Sequence, residues 1–375
     1  MKKERLMEFD VLRGIAFIMV VIQHTIGGFS FRKDISFYDL LISRFLYTIA
    51  TIAVPIFVFL TAISLIYTYY DSFNAKTFYI KKIKFLVIPY IIISYLNVKL
   101  SGQVNGVIDF IPNLITGNCK YHLWYMGMII RIYLYFPLIL IFIRKLMKKS
   151  MFIKVSFFIF YALGYWIVLK NNNDITNSIG KLLFKNPTEL QQKFINITPL
   201  IWSLYFVIGA YFILSYTNFK HIILKYKYAI VAIYSMTISY YYYTQVTDVI
   251  GNPIPYIKFD HAIYIFHCIV SILFFYVISY YIAYKLIYIS KLFKFIGKYS
   301  FPAYMIHVIV LEYLVRYMPY PPVLSSPIKL LLITIIAAPT ICYLANYLPY
   351  SEYLIGVKSK ISFKKTNKKV SDLAS

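Results

Sequence analysis

Three ionisable side chains, Asp10, Arg13 and His24, stand inside one long apolar stretch, residues 9–29 (FDVLRGIAFIMVVIQHTIGGF). Such groups are costly at membrane depth and usually mark a pathway or a site. Arg13 and His24 are separated by about three turns at 3.6 residues per turn, so both project from one face of a helix, roughly 16 Å apart along its axis. Asp10 lies one turn before Arg13 on that face, close enough to pair with it. A cation at one mouth of a span and a base deeper within it suit a reaction with one anionic reactant from each side. The plainer alternative is that Arg13 snorkels to the surface beside Asp10 while His24 caps a helix contact.

The elements that must hold these residues are read from composition. The 375 residues are 60% hydrophobic, 20% aromatic and 14% charged, with a mean hydropathy of +0.67. These values lie outside the soluble globular range and define an all-α, polytopic membrane protein. The formal charge of +25 sits in short clusters between apolar runs, which is loop topology rather than nucleic-acid binding. Cys119, Cys268 and Cys342 give neither a disulfide framework nor metal-ligand spacing, and no metal is expected. No cleavable leader is expected either, because the first apolar run is long and carries Arg13.

About ten transmembrane helices are expected, over 9–29, 41–68, 83–101, 123–144, 151–169, 198–216, 228–246, 261–284, 300–318 and 328–349. With both termini cytoplasmic, Lys and Arg favour the inner loops by roughly two to one. The outer loop 170–197 is the longest, Asn-rich and of a length that tends to be functional or mobile. Residues 1–350 then form one transmembrane domain, and 351–375 a basic cytoplasmic tail expected to be disordered, most clearly from 358 on.

Other polar groups fall within the spans. His307 lies about two turns into the ninth, with Glu312 near the same face, as an orienting or relay pair or as a structural one. Arg131 is too deep in the fourth span to snorkel easily and suits an oxyanion or acid partner. His122 and Trp124 fall at the outer mouth of that span, where a sugar could stack on the indole, though the interfacial aromatic belt explains Trp124 and the tyrosines at 240–243 equally well. His221, His261 and His267 carry no functional assignment.

These residues add up to a resemblance. Asp10-Val-Leu-Arg13-Gly14-Ile-Ala16 followed by His24 resembles the first helix of the acyltransferase-3 family of integral-membrane acyltransferases. Tyr121-His122-Leu-Trp124-Tyr-Met resembles its His-Leu-Trp block, Phe206-Val-Ile-Gly209-Ala210 its sixth-helix glycine motif, and Lys298-Tyr299-Ser300-Phe-Pro302-Ala-Tyr304-Met-Ile-His307 its late Tyr-Ser…Tyr…His segment. The similarity spans essentially the whole chain. It implies a multi-pass protein of a bacterial plasma membrane that takes an acyl group, most often acetyl, from cytoplasmic acyl-coenzyme A to a hydroxyl of an extracytoplasmic polysaccharide or other envelope glycan.

On that resemblance His24 is the catalytic base, and acyl transfer through an acyl-histidine or directly both remain open. Asp10, His307 and Glu312 join it as catalytic candidates from their own positions in the spans. Arg13 organises the donor channel. Lys81, Lys82 and Lys84, with Lys76 before them, meet the coenzyme phosphates or merely set topology; relatives commonly have arginines there, and lysine lacks the bidentate fork. Tyr121, His122 and Trp124 would face the acceptor; Arg131, which has no match in the family pattern, is added to them on its depth in the span alone. Where relatives often have Ser-Gly, this chain has Thr61-Ala62, a packing position. The alternatives are a glycan exporter or flippase of the same fold, for which the halves show no convincing internal repeat, and a structural membrane subunit, which would not need both Arg13 and His24.

Overall fold

The computed structural model describes residues 4–101, 107–250 and 261–361, and every regular element among them is helical. Helix α1 (Met7–Ile26) carries Glu8 and Asp10 in its first turn, where the exposed N–H groups favour carboxylates. Glu8 is fully buried and accepts hydrogen bonds from the hydroxyls of Tyr216 and Tyr284. At its other end, Gln23 donates to the carbonyl of Ala50 (2.6 Å).

The expected second span, 41–68, is two helices, α2 (Phe37–Ala50) and α3 (Ala53–Tyr69). The break falls at Thr51, four residues before Pro55, whose ring would clash with that carbonyl in a continuous helix. Helix α4 (Ala75–Lys82) is capped by Asn74 and runs through a π-helical turn, Ile83–Val87, into α5 (Ile88–Ser101). Pro89 explains the widened turn: it has no N–H to offer the carbonyl of Phe85.

Helix α6 (Val107–Ile115) and a short 3₁₀ turn (Tyr121–Leu123) lead into α7 (Trp124–Met147), which is followed by α8 (Met151–Lys170). The expected long loop 170–197 is instead mostly helical, forming α9 (Asn172–Phe184) and α10 (Glu189–Asn196). The reciprocal capping box of Thr188 and Gln191 starts α10. Next come α11 (Ser203–Leu214), then α12 (Tyr216–Lys225) and α13 (Lys227–Val246), bent by 74° at their junction. Helices α14 (Ala262–Lys285), α15 (Ile287–Tyr317), α16 (Ser325–Ala345) and the short α17 (Ser351–Leu354) complete the chain.

Eight helical stretches are long and apolar enough to cross a membrane, or nine if α12 and α13 form one span. The expected span 300–318 is the second half of α15, whose 31 residues suffice in length but include Lys291, Lys294, Lys298, Glu312 and Arg316. The count of about ten is therefore not reached by apolarity and length among the described residues. The segment after 350, expected to be a disordered tail, is ordered over its described part. Glu352 of α17 pairs with Lys84 (2.9 Å), and the backbone N–H of Lys360 donates to the carbonyl of Asn346 (3.1 Å); residues 362–375 lie outside the described residues.

The bundle is built around α1. Its apolar window is 72% buried, against 11% for α8, which faces outward from the bundle. Small residues set the closest crossings. A Cβ on Gly14 would stand 2.6 Å from the carbonyl of Phe293, and one on Gly297 would strike the carbonyl of Asp10, so α1 and α15 touch backbone to backbone. Gly209 of α11 meets α3 in the same way, at the carbonyl of Phe59 and the methyl of Ala62. Position 62 is thus a packing position.

Candidate active site

The crossing of α1 and α15 brings two histidines together. His24 and His307 each lie ten residues after the glycine at which their helices touch, and their ring centroids are 5.1 Å apart. The 3₁₀ turn before α7 adds His122, 4.9 Å from His307 and 6.1 Å from His24. Tyr121 flanks His24 at 5.2 Å. His122 and His307 are buried, whereas His24 is part-exposed.

The hydrogen bonds of the two buried rings assign their tautomers. His307 Nδ1 lies 2.6 Å from the carbonyl oxygen of Tyr304, so that nitrogen carries the proton and Nε2 is left as an acceptor; Nε2 has no partner. His122 Nε2 lies 3.3 Å from the carbonyl of Met305, and its Nδ1 is likewise buried without a partner. Two bare imidazole nitrogens in one buried cluster call for a donor: a water, a hydroxyl, or the N–H of His24. The hydroxyl of Tyr304 donates to the carbonyl of His122 and locks the turn against α15.

One cavity reaches His24, and a second approaches the cluster through Tyr304. The first, about 390 Å³, is lined by His24, Thr25, Arg32 and Tyr320. The other, about 370 Å³, is lined by Arg13, Ser64, Lys81, Lys82, Ser300 and Tyr304. Tyr304 is the partition: it walls the second cavity, and its ring lies 5.6 Å from His122 and 5.8 Å from His307.

Arg13 is held by two side chains. Its Nη1 donates to Asp10 (3.2 Å) and its Nη2 to Ser64 Oγ (3.1 Å), while Asp10 also accepts from Arg5 Nε (2.5 Å). Asp10 orients the guanidinium without lining the cavity. Lys82 sits over the Tyr133 ring at 4.0 Å, pointing its ammonium along the same wall. The cavity is therefore lined by one guanidinium, two ammonium groups and several hydroxyl-bearing side chains, Ser64, Tyr133, Ser300 and Tyr304 among them.

Of the expected site residues, Arg13, Lys81 and Lys82 line one cavity and His24 the other, while Asp10 holds Arg13, and Tyr121, His122 and His307 surround His24. Four expected site residues go elsewhere. Lys84 is engaged by Glu352 and stacks over Tyr353 at 4.7 Å. Glu312 does not orient His307: it is half exposed and pairs with Lys120 at 2.6 Å, because a five-residue offset turns it away from the histidine face. Trp124 lies against Trp202, ring centroids 5.7 Å apart. Arg131 projects from the opposite face of α7, into a third cavity.

Sequence reasoning passed over Ser64, Ser300, Tyr125, Tyr133, Arg32 and Tyr320 as lining groups, and gave Tyr304 no role although it stands in a quoted motif. Neutral hydroxyl groups in an apolar span cost too little to stand out. His267, given no function from the sequence, hydrogen-bonds Thr237 (3.1 Å) and Ser271 (3.4 Å).

The described residues thus form an all-helical membrane bundle with three neighbouring histidines, a cationic cavity walled in part by Tyr304, and a second cavity at His24. The chain matches the acyltransferase-3 family, described as an acyltransferase domain, over residues 7–347, and it belongs to that family. The match runs from the first residue of α1 to just past α16 and contains every residue of the cluster. No curated protein and no solved structure matches the chain significantly.

Proposed function

We propose that this acyltransferase moves an acyl group, acetyl foremost, from cytoplasmic acyl-coenzyme A to a hydroxyl of an extracytoplasmic cell-surface polysaccharide or related envelope glycan. The observation that carries the reading is a cationic cavity holding Arg13 and a second cavity holding His24, with Tyr304 of the first wall beside His122 and His307, the ring neighbours of His24. On this reading both chain termini are cytoplasmic and the protein resides in a bacterial plasma membrane, in keeping with the excess of Lys and Arg in alternate loops.

The chemistry follows from the two entrances. The coenzyme's phosphates rest on Arg13, Lys81 and Lys82, where charge-assisted hydrogen bonds are strongest. A cavity of about 370 Å³ is at the small end of ligand pockets, so it takes the acyl-pantetheine arm while the nucleotide stays at the mouth. The arm reaches toward Tyr304 with its thioester near the cluster. His24 accepts the proton of the acceptor hydroxyl as the oxygen attacks the thioester carbonyl. The tetrahedral adduct then expels the thiolate, which takes up the proton, giving ester and free coenzyme A. His307 and His122, each with one nitrogen tied to a carbonyl, hold the hydroxyl or a water through the other.

The experiment is transfer of labelled acetyl from acetyl-coenzyme A by the purified, reconstituted protein, followed as thiol release and as label on an added glycan. The proposal expects both, and His24→Ala to abolish both. Glycan movement across the vesicle with neither coenzyme binding nor thiol release would instead establish the exporter reading.

A further inference from the structure

A third cavity, about 520 Å³, lies between α5, α6, α7 and the pair α9–α10, on the side of α7 away from the histidine cluster. Successive α7 residues show the division: Met126, Ile129 and Tyr133 face the donor cavity, whereas Gly127, Ile130 and Arg131 face this one. Its walls are mainly aliphatic, with Ile91, Leu114, Ile130 and Ile175 among them, and Arg131 is its single charged group.

Arg131 has no acid partner among the described residues. Its guanidinium lies over the Phe194 ring at 4.0 Å. Nη1 donates to the carbonyls of Phe194 (2.6 Å) and Ile197 (3.4 Å), which ties α7 to the end of α10. Nη2 is buried and has no acceptor at all. A guanidinium carries five N–H donors and a charge that cannot be shed, so an enclosed face of it in an apolar cavity is unfavourable until an anion meets it. The same apolar walls would reject a small, fully hydrated anion.

We propose that this cavity binds one anionic membrane lipid, its phosphate on the Arg131 guanidinium and one alkyl chain along the aliphatic wall of α5–α7. The two requirements, a negative head and a hydrocarbon tail, come from the cavity's one charged group, which has no acid partner among the described residues, and from the walls around it. The placement explains α9 and α10 as well: their apolar residues Ile175, Ile179 and Phe194 close over the cavity. A seated lipid would hold that pair against the bundle.

The test is equilibrium binding of phosphatidylglycerol bearing a fluorescent chain to the purified, delipidated full-length protein in detergent. Diacylglycerol with the same chain supplies the tail without the anion, and inorganic phosphate, added as a competitor, supplies the anion without the tail. Saturable phosphatidylglycerol binding on the order of 10-fold tighter than diacylglycerol is expected, one charge-assisted pair being of that size, with inorganic phosphate failing to compete at equal concentration. Arg131→Gln is expected to bring phosphatidylglycerol down to the diacylglycerol level. Ile179→Trp keeps the cation and fills the cavity, and is expected to weaken both lipids; it carries the test if Arg131→Gln does not fold. Equal binding of the two lipids by the unmodified protein, effective competition by inorganic phosphate, or phosphatidylglycerol binding unchanged in the folded variants would each overturn the proposal.

Discussion

His24 on α1 and His307 on α15 stand with ring centroids 5.1 Å apart, although 283 positions separate them in the chain. What brings them together is the contact of Gly14 with Phe293 and of Gly297 with Asp10. His307 has Nδ1 committed to the Tyr304 carbonyl and a buried Nε2 without a partner, and under the proposed function it positions the acceptor hydroxyl or a water. His307→Gln should lower kcat by about 10-fold or more while leaving the KM for acyl-coenzyme A close to that of the wild type, since a misplaced catalytic group costs rate rather than donor affinity. Steady-state kinetics with varied donor reads the split. A change in donor KM alone would remove His307 from the chemistry.

The glycine crossing itself is testable. Adding a methyl at Gly297 drives it into the Asp10 carbonyl. Gly297→Ala should destabilise the protein by about 1–3 kcal/mol, the usual range for overpacking, and should lower activity by shifting His307 relative to His24. Gly28, which has open space around its Cβ position, is the control: Gly28→Ala should change thermal stability far less.

Donor binding separates the lysines. Arg13→Ala should weaken acyl-coenzyme A binding by about 10-fold or more, the size of a charge-assisted hydrogen bond, and the double change of Lys81 and Lys82 to Ala should weaken it too. Lys84→Ala should leave the affinity near wild type, because that ammonium is committed to Glu352. Calorimetric titration with a non-transferable donor analogue gives all three values. Equal losses at Lys84 and Lys81 would mean that the second loop acts only through its overall charge.

The Lys84 contact also sets a pH dependence outside the spans. Hydrogen bonding to Lys84 holds the Glu352 carboxyl below its usual range. A carboxylate with a lowered folded-state pKa stabilises the folded form above its unfolded pKa, and this contribution is lost as the pH falls through the lowered value. Docking of α17 should therefore be unaffected from neutral pH down to mildly acidic conditions and should loosen in strong acid. Hydrogen exchange of the amides of residues 351–357 measures it. Glu352→Gln should loosen the segment already at neutral pH and flatten its acid response.

Much of the site was legible because charge in an apolar span is conspicuous. Asp10, Arg13 and His24 stood out from one helix, and the His-Leu-Trp block and His307 joined them through the family resemblance. Tyr304 and Ser64 did not, since one is a tyrosine among 40 and the other a small hydroxyl, and neither is costly enough in a membrane to signal a role. Glu312 misled because carboxylates invite pairing with the nearest histidine in sequence, whereas Lys120 from a distant segment lies closer in space. The fold was legible as a bundle of spans. Its breaks were less so: the effect of Pro55 on α2–α3 and of Pro89 on the π turn is local, and hydropathy averages over it. Residues 170–197 looked like a loop because asparagines dominate their first half, yet the Thr188–Gln191 capping box was a start signal for α10 in plain view.

The most direct measurement of the central claim uses His24→Ala in proteoliposomes supplied with acetyl-coenzyme A and a glycan acceptor, with donor binding and thiol release recorded on the same preparation. A general base contributes on the order of 10²- to 10⁴-fold. His24→Ala should therefore bind acetyl-coenzyme A as tightly as wild type and release thiol at least about 100-fold more slowly. Thiol release at the wild-type rate by the folded variant would contradict the account, because His24 would then do no chemistry.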